Sequence, residues 1–117
     1  MTGNTMGTRG LVRFKRKSLR KNLVSIYHHF DGYPMGVGRQ LARFLCTHTL
    51  VRGVNANPEV KFADGLGCLA AQYIAAVKRD SDDVYLMDAN ADDQEYVYVV
   101  IVDEDSHTVQ IKASNSS

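Results

Sequence analysis

The stretch "LVSIYHHFDGYPMGVGRQLARFL", residues 23–45, changes its hydrophobic period part-way along, and that change decides the fold. Up to Phe30 the residues alternate as a strand does. Val24, Ile26, His28 and Phe30 share one face, and Ser25, Tyr27, His29 and Asp31 share the other. After Pro34 the apolar residues recur at helical spacing, with Val37, Leu41, Phe44, Leu45 and His48 on one face. Between the two regimes "DGYP" is a turn by its chemistry, since Gly supplies φ > 0 and Pro presets the next φ.

Working outward, "RGLVRFK" (9–15) has strand composition and pairs with 23–30 as a hairpin through the charged "RKSLRKN". On the other side, "RGVNANPEV" is punctuated by Gly53, asparagines and Pro58 and reads as a loop. "ADGLGCLAAQYIAAVKRD" follows as a second helix. Asp64 is its expected N-cap, Leu66, Leu69, Tyr73 and Val77 form its apolar stripe, and Lys78 and Arg79 suit the negative end of its dipole. Three more strands are predicted near 84–88, 96–102 and 108–112, and "YVYVVIV", apolar on both faces, belongs inside the sheet. The expected fold is α+β, a two-layer sandwich in the order ββααβββ. It has a five-stranded, mainly antiparallel sheet and two helices, near 36–48 and 65–79, on one face. Residues 8–112 form the single domain, with residues 1–7 and 113–117 as disordered ends.

Composition narrows the class. With 117 residues, 44% hydrophobic and 23% charged, the chain suits one globular domain with one core. Its two cysteines, Cys46 and Cys68, lie in apolar helical patterns and are expected reduced and largely buried, which suits a cytoplasmic setting. No stretch approaches the ~20 apolar residues of a membrane span, and residues 1–8 lack the apolar core of a secretory signal.

The formal net charge of +1 hides a division. Residues 1–79 hold 13 Lys and Arg against Asp31, Glu59 and Asp64, whereas residues 80–117 hold Lys112 against ten acids. The densest basic run, 9–21, suits nucleic acid or phosphate. It equally suits pairing with the acidic C-terminal segment, in which Arg9 and Arg13 would face Glu95 and Asp103.

Several residues carry candidate chemistry. His28 and His29 point to opposite faces of a strand, which argues against a shared metal, and no metal or cofactor is expected. His28 reads either as a satisfied core histidine or as a ligand group. Asp31 reads either as a turn residue or as part of a pocket floored by free backbone N–H groups of "MGVGR", at Gly36 and Gly38, with Arg39 nearby to favour an anion. Arg9, Asp31 and Glu95 are expected to converge in one cavity.

"GTRGLVRF", "YHHFDGYPMGVG", "GLGCLAAQYIA" and "DQEYVYVV" together resemble a family of small uncharacterised proteins of bacteriophages, bacteria and large DNA viruses, over roughly residues 7–112. The resemblance implies matching positions at Thr8, Arg9, Gly10, His28 or His29, Asp31, Tyr33, Pro34, Gly36, Gly38, Gly67, Cys68, Gln72, Glu95 and Tyr96, and names no activity. Departures are the doubled "HH" and the more basic 9–21 hairpin.

Three functions of different class follow as expectations. The first is a small viral or phage-type binding protein, in the host cytoplasm, engaging a host protein or a small anionic, phosphate-bearing ligand. Arg9, His28, Tyr33, Gly36, Gly38, Arg39, Gln72 and Glu95 would then form its site. The second is a hydrolase or transferase with His29 as general base oriented by Asp31, and Cys68 or Ser25 as nucleophile. The third is a structural or virion-associated protein.

Overall fold

A computed structural model of the chain describes residues 8–18, 21–47, 49–51, 62–91, 94–106 and 108–115, with only the backbone described at 49–51 and 62–64. Strand β1 (Gly10–Arg16) pairs antiparallel with β2 (Asn22–His28), so the predicted hairpin forms. A turn of π-helix (Pro34–Gly38) leads into helix α1 (Arg39–Thr47). Two short strands, β3 (Thr49–Val51) and β4 (Phe62–Asp64), pair parallel outside the main sheet. Helix α2 (Gly65–Val77) and strands β5 (Val84–Met87), β6 (Tyr96–Asp103) and β7 (Thr108–Asn115) complete the chain.

The main sheet has five strands in the order β5-β2-β1-β6-β7. It is mixed, which corrects the mainly antiparallel expectation. β1 and β6 run parallel, from Gly10 opposite Tyr96 to Arg16 opposite Val102, while the other three pairings are antiparallel. The cause is the β5–β6 connection. Both strands run parallel to β1 on opposite sides of the hairpin, so the chain must pass from one side to the other between them, and Ala89–Ala91 begin that passage. The back of the hairpin holds it there: Ser25 Oγ donates to Ala89 O at 2.7 Å, Arg13 donates to Ala91 O, and Asn22 Nδ2 donates to Asn90 Oδ1 at 3.0 Å.

The other sheet face meets the helices. Val12, Phe14, Ile26, Val84, Tyr98, Val100 and Val102 from the strands share one core with Val37, Leu41, Phe44, Leu66, Leu69, Ala70, Tyr73 and Val77. Tyr73 is its aromatic centre, with ring centroids 5.8 Å from Phe14 and His28 and 5.3 Å from Phe44. Val24, Ile26 and His28 of the predicted alternation and the described members of both helical stripes face this core, but Phe30, beyond the end of β2, is 39% exposed and Ser25, on the other face, is fully buried; β6 lies inside the sheet as its two apolar faces require.

Other differences have local causes. β7 runs to Asn115, beyond the expected end at 112, because Ala113, Ser114 and Asn115 stay in register with Tyr98, Val97 and Tyr96. Cys46 is exposed because α1 turns only the Leu41 and Phe44 side inward, and Cys68 is half-buried because it lies beside the Leu66, Leu69 and Tyr73 stripe of α2; both are free thiols. The start of α2 is capped from a distance: Leu66 N donates to Glu104 Oε2 at 2.9 Å, while the other carboxylate oxygen accepts from Arg16 Nε at 2.7 Å. The expected cap, the side chain of Asp64, lies outside the described residues, as do His48, the 52–60 loop, residues 1–7 and residues 116–117.

The charge division reappears in space. Arg16 pairs with Glu104, and Lys17 Nζ stands 3.8 Å from Asp103. Opposite halves of the chain therefore meet beside β1 and β6, though through Arg16 and Lys17 rather than Arg9 and Arg13.

Candidate functional site

The turn after β2 is wound tightly. Gly32 N donates to Thr8 O at 2.8 Å and its carbonyl accepts from Tyr98 Oη at 2.7 Å. A Cβ on Gly32 would lie 2.4 Å from backbone atoms of Arg9 and Gly10, and one on Gly36 would lie 2.2 Å from Asp31 O, so neither position admits a side chain. Asp31, between them in space, has φ 56°, an uncommon left-handed conformation for a residue with a Cβ. Its carbonyl accepts from Val37 N at 2.8 Å, and its carboxylate accepts from Tyr33 Oη at 3.2 Å.

This winding overturns one expectation. Gly36 N and Gly38 N are directed at Tyr33 O, Val37 N at Asp31 O, and Arg39 N at Gly36 O and Pro34 O. Four of the five N–H groups expected to form an anion-binding floor, those of 36–39, are thus engaged within the turn, which leaves side chains as the main groups able to hold an anion here.

Those side chains line two joined depressions. The inner cleft, about 260 Å³, is bounded by His28, Phe30, Asp31, Gln40, Arg79 and Asp83, with Gly36, Val37, Val77 and Val84. The outer groove, about 400 Å³, is bounded by Met35, Gly36, Arg39, Gln40, Arg43 and Arg79. Gly36, Gln40 and Arg79 border both, so the two are continuous. Arg39 and Arg43, one helical turn apart, and Arg79, just beyond α2, give the outer groove three guanidinium groups and no acid. None of the three forms an ion pair among the described residues.

The inner end is anionic. Asp83 Oδ2 accepts from Arg79 N at 2.9 Å and Asp80 N at 3.1 Å, and Oδ1 lies 3.4 Å from Lys78 Nζ. These donors, led by the Arg79 N–H, hold its pKa down to about 2. The site is thus graded in charge: both carboxylates border the inner cleft, Arg79 borders both depressions, and Arg39 and Arg43 border only the outer groove.

The histidines separate as the strand alternation requires. His28 is buried, with Nε2 2.8 Å from Tyr73 Oη, and burial lowers its pKa to about 4 against a smaller opposing pull from Asp83. It is a satisfied core histidine whose edge reaches the inner cleft. His29 lies on the opposite side, its Nδ1 2.9 Å from Tyr27 Oη, and borders a third cleft of about 520 Å³ with Arg9, Tyr27, Tyr85, Leu86, Met87 and Gln94.

The predicted residues therefore sort into different places. His28, Asp31, Gly36 and Arg39 come together. Arg9 and His29 border the cleft on the opposite face, and Glu95 is exposed and borders none of the three, so Arg9, Asp31 and Glu95 do not share a cavity. Nor does a His29–Asp31 hydrogen bond form: alternation would set both on one face, but β2 ends at His28 and the chain turns at Asp31, φ 56°, so that His29 meets Tyr27 and Asp31 meets Tyr33. Tyr33 is exposed and positions Asp31, and Gly38 packs on the Tyr98 ring. Gln72 borders none of the three clefts; its Oε1 is buried with no hydrogen-bond partner among the described residues.

Arg43, Arg79, Gln40 and Asp83 complete the site without having been singled out from sequence. The i, i+4 spacing of Arg39 and Arg43 was a usable signal. Arg79 and Asp83 carried none, because their place depends on where α2 ends against α1.

Among the described residues no three His, Cys, Asp or Glu side chains are grouped to hold a metal ion, and no helix is long and apolar enough to cross a membrane. Comparison with known protein families, curated proteins and solved structures finds no match for the chain.

Proposed function

We propose that the protein is a small binding protein of the viral or phage type, acting in the cytoplasm, and that its ligand is a phosphate-bearing molecule seated in the groove at the start of α1. One observation carries this reading: Arg39, Arg43 and Arg79 line one depression that contains no acid and form no ion pair among the described residues. Like charges held close together repel unless an anion joins them, and guanidinium groups match phosphate oxygens in pairs. The start of α1 and the end of α2 border the same depression, which supports the reading. Binding is favoured over a hydrolase or transferase because His29 and Asp31 border different clefts and His28 is committed to Tyr73.

The test is thermal stabilisation and calorimetry with pyrophosphate at low ionic strength. Saturable binding that weakens with salt, and falls about tenfold or more in an Arg39→Ala/Arg43→Ala variant, supports the reading. Absence of binding by a folded protein overturns it and favours a protein target instead. A protein target has its own observation: β5 is an edge strand with Tyr85 43%, Leu86 65% and Met87 39% exposed, a surface suited to pairing with a partner strand.

A further inference from the structure

We propose that the ligand is a ribonucleotide, its phosphates on Arg39, Arg43 and Arg79 in the outer groove and its ribose hydroxyls on Asp31 in the inner cleft. This rests on the anion-binding reading of the outer groove and adds the chemistry of the inner cleft to it.

Three observations lead there. The inner cleft, about 260 Å³, lies below the ~300–1,000 Å³ common for small-molecule sites, and only with the outer groove is there room for a ligand of nucleotide size. The polarity is two-ended. In the inner cleft Asp31 and Asp83 outnumber Arg79, which disfavours a phosphate there and suits neutral hydrogen-bond donors, whereas the outer groove, with Arg39, Arg43 and Arg79 and no acid, favours an anion. A molecule with donor hydroxyls one short span from its phosphates satisfies both ends, and the half-exposed ring of Phe30 offers an apolar wall to a base.

The third observation is Asp31 itself. Asp83 already accepts from two backbone N–H groups and stands beside Lys78, but the carboxylate of Asp31 is exposed and, among the described residues, takes only the Tyr33 hydroxyl, at 3.2 Å. It sits at φ 56°, a conformation that glycine would adopt without cost, beside a chain so tightly wound that Gly32 and Gly36 must be glycine. A carboxylate is thus held at a strained position on the wall of the cleft. Paired hydroxyls of a ribose are the natural partners of such a carboxylate, as at dinucleotide sites.

The experiment is calorimetric titration with ADP, UDP, 2′-deoxy-ADP and pyrophosphate of the intact protein, the Asp31→Asn variant and the Arg39→Ala/Arg43→Ala variant. Asparagine tolerates the left-handed conformation, so Asp31→Asn keeps the turn while removing the charge. The expected result is that a ribonucleotide binds about tenfold or more tightly than both its 2′-deoxy form and pyrophosphate. Asp31→Asn should erase the preference for ribose without weakening pyrophosphate binding, which loss of a repelling carboxylate can only strengthen, while the double arginine variant loses every ligand. Pyrophosphate binding as tightly as ADP and UDP, or a ribose preference that survives Asp31→Asn, overturns the ribonucleotide assignment and leaves the anion groove standing. No binding of any of the four overturns both.

Discussion

The hydroxyl of Tyr73 and Nε2 of His28 lie 2.8 Å apart inside the core, joining the middle of α2 to the end of β2 across 45 positions of sequence. Burial lowers the His28 pKa to about 4 and pushes that of Tyr73 up, so at neutral pH the pair is uncharged and shares one hydrogen bond.

Acid should therefore weaken the fold in a definable window. The unfolded chain protonates this histidine near its ordinary 6.5, the folded chain only near 4. Its stabilising effect is complete above pH 6.5 and declines as pH falls toward 4, because there the unfolded state binds more protons. By pH 5 the loss should be about 2 kcal/mol relative to neutral pH. Denaturation curves between pH 5 and 7 measure this slope, and His28→Gln should flatten it; an unchanged slope in the variant would assign the effect elsewhere.

Glu104 links β6 to α2 and to β1 at once, accepting from Leu66 N and from Arg16. Glu104→Ala should lower stability by roughly 1–2 kcal/mol through loss of the helix cap. Arg16→Ala, which removes only a partly exposed ion pair, should cost about 1 kcal/mol or less. Urea denaturation of the two variants compares them directly.

Gly32→Ala should destabilise by about 2 kcal/mol or more, since the added carbon would stand 2.4 Å from the backbone of Arg9 and Gly10, which cannot move without disturbing β1. Gly67→Ala is the control. Nothing lies within 4 Å of the added methyl, and alanine favours the helix, so stability should hold or rise. Melting temperatures of both proteins suffice.

Thiol labelling of the native protein should modify Cys46 quickly and Cys68 more slowly, because the first is exposed and the second is partly packed against the core. Equal rates at both positions would mean that α2 opens as readily as the surface of α1.

The residues that form the core were legible because burial follows period. Val24, Ile26 and His28 alternate, Leu41 and Phe44 recur at helical spacing, and each meets the core on the face its spacing assigns. The turn at 31–34 was legible for a similar reason, since Asp-Gly and Tyr-Pro restrict the backbone locally. The separation of His28 from His29 also followed from alternation alone, and with it the weakness of any metal site drawing on both.

What only the tertiary structure decided are relations between distant segments. The parallel pairing of β1 with β6 depends on the chain passing from one side of the hairpin to the other after β5, where Ser25 and Arg13 hold the carbonyls of Ala89 and Ala91, and no local pattern in either strand records its direction. The cap on α2 comes from Glu104, 38 positions away, and the engagement of the N–H groups at 36–39 comes from the π-turn winding back on Asp31 and Tyr33. The site obeys the same division. Arg39 and Arg43 could be paired by spacing, but Arg79 reaches them only where the end of α2 lies beside the start of α1. Period and turn chemistry are local properties of a chain, whereas the meeting of charges from separate elements depends on how those elements pack.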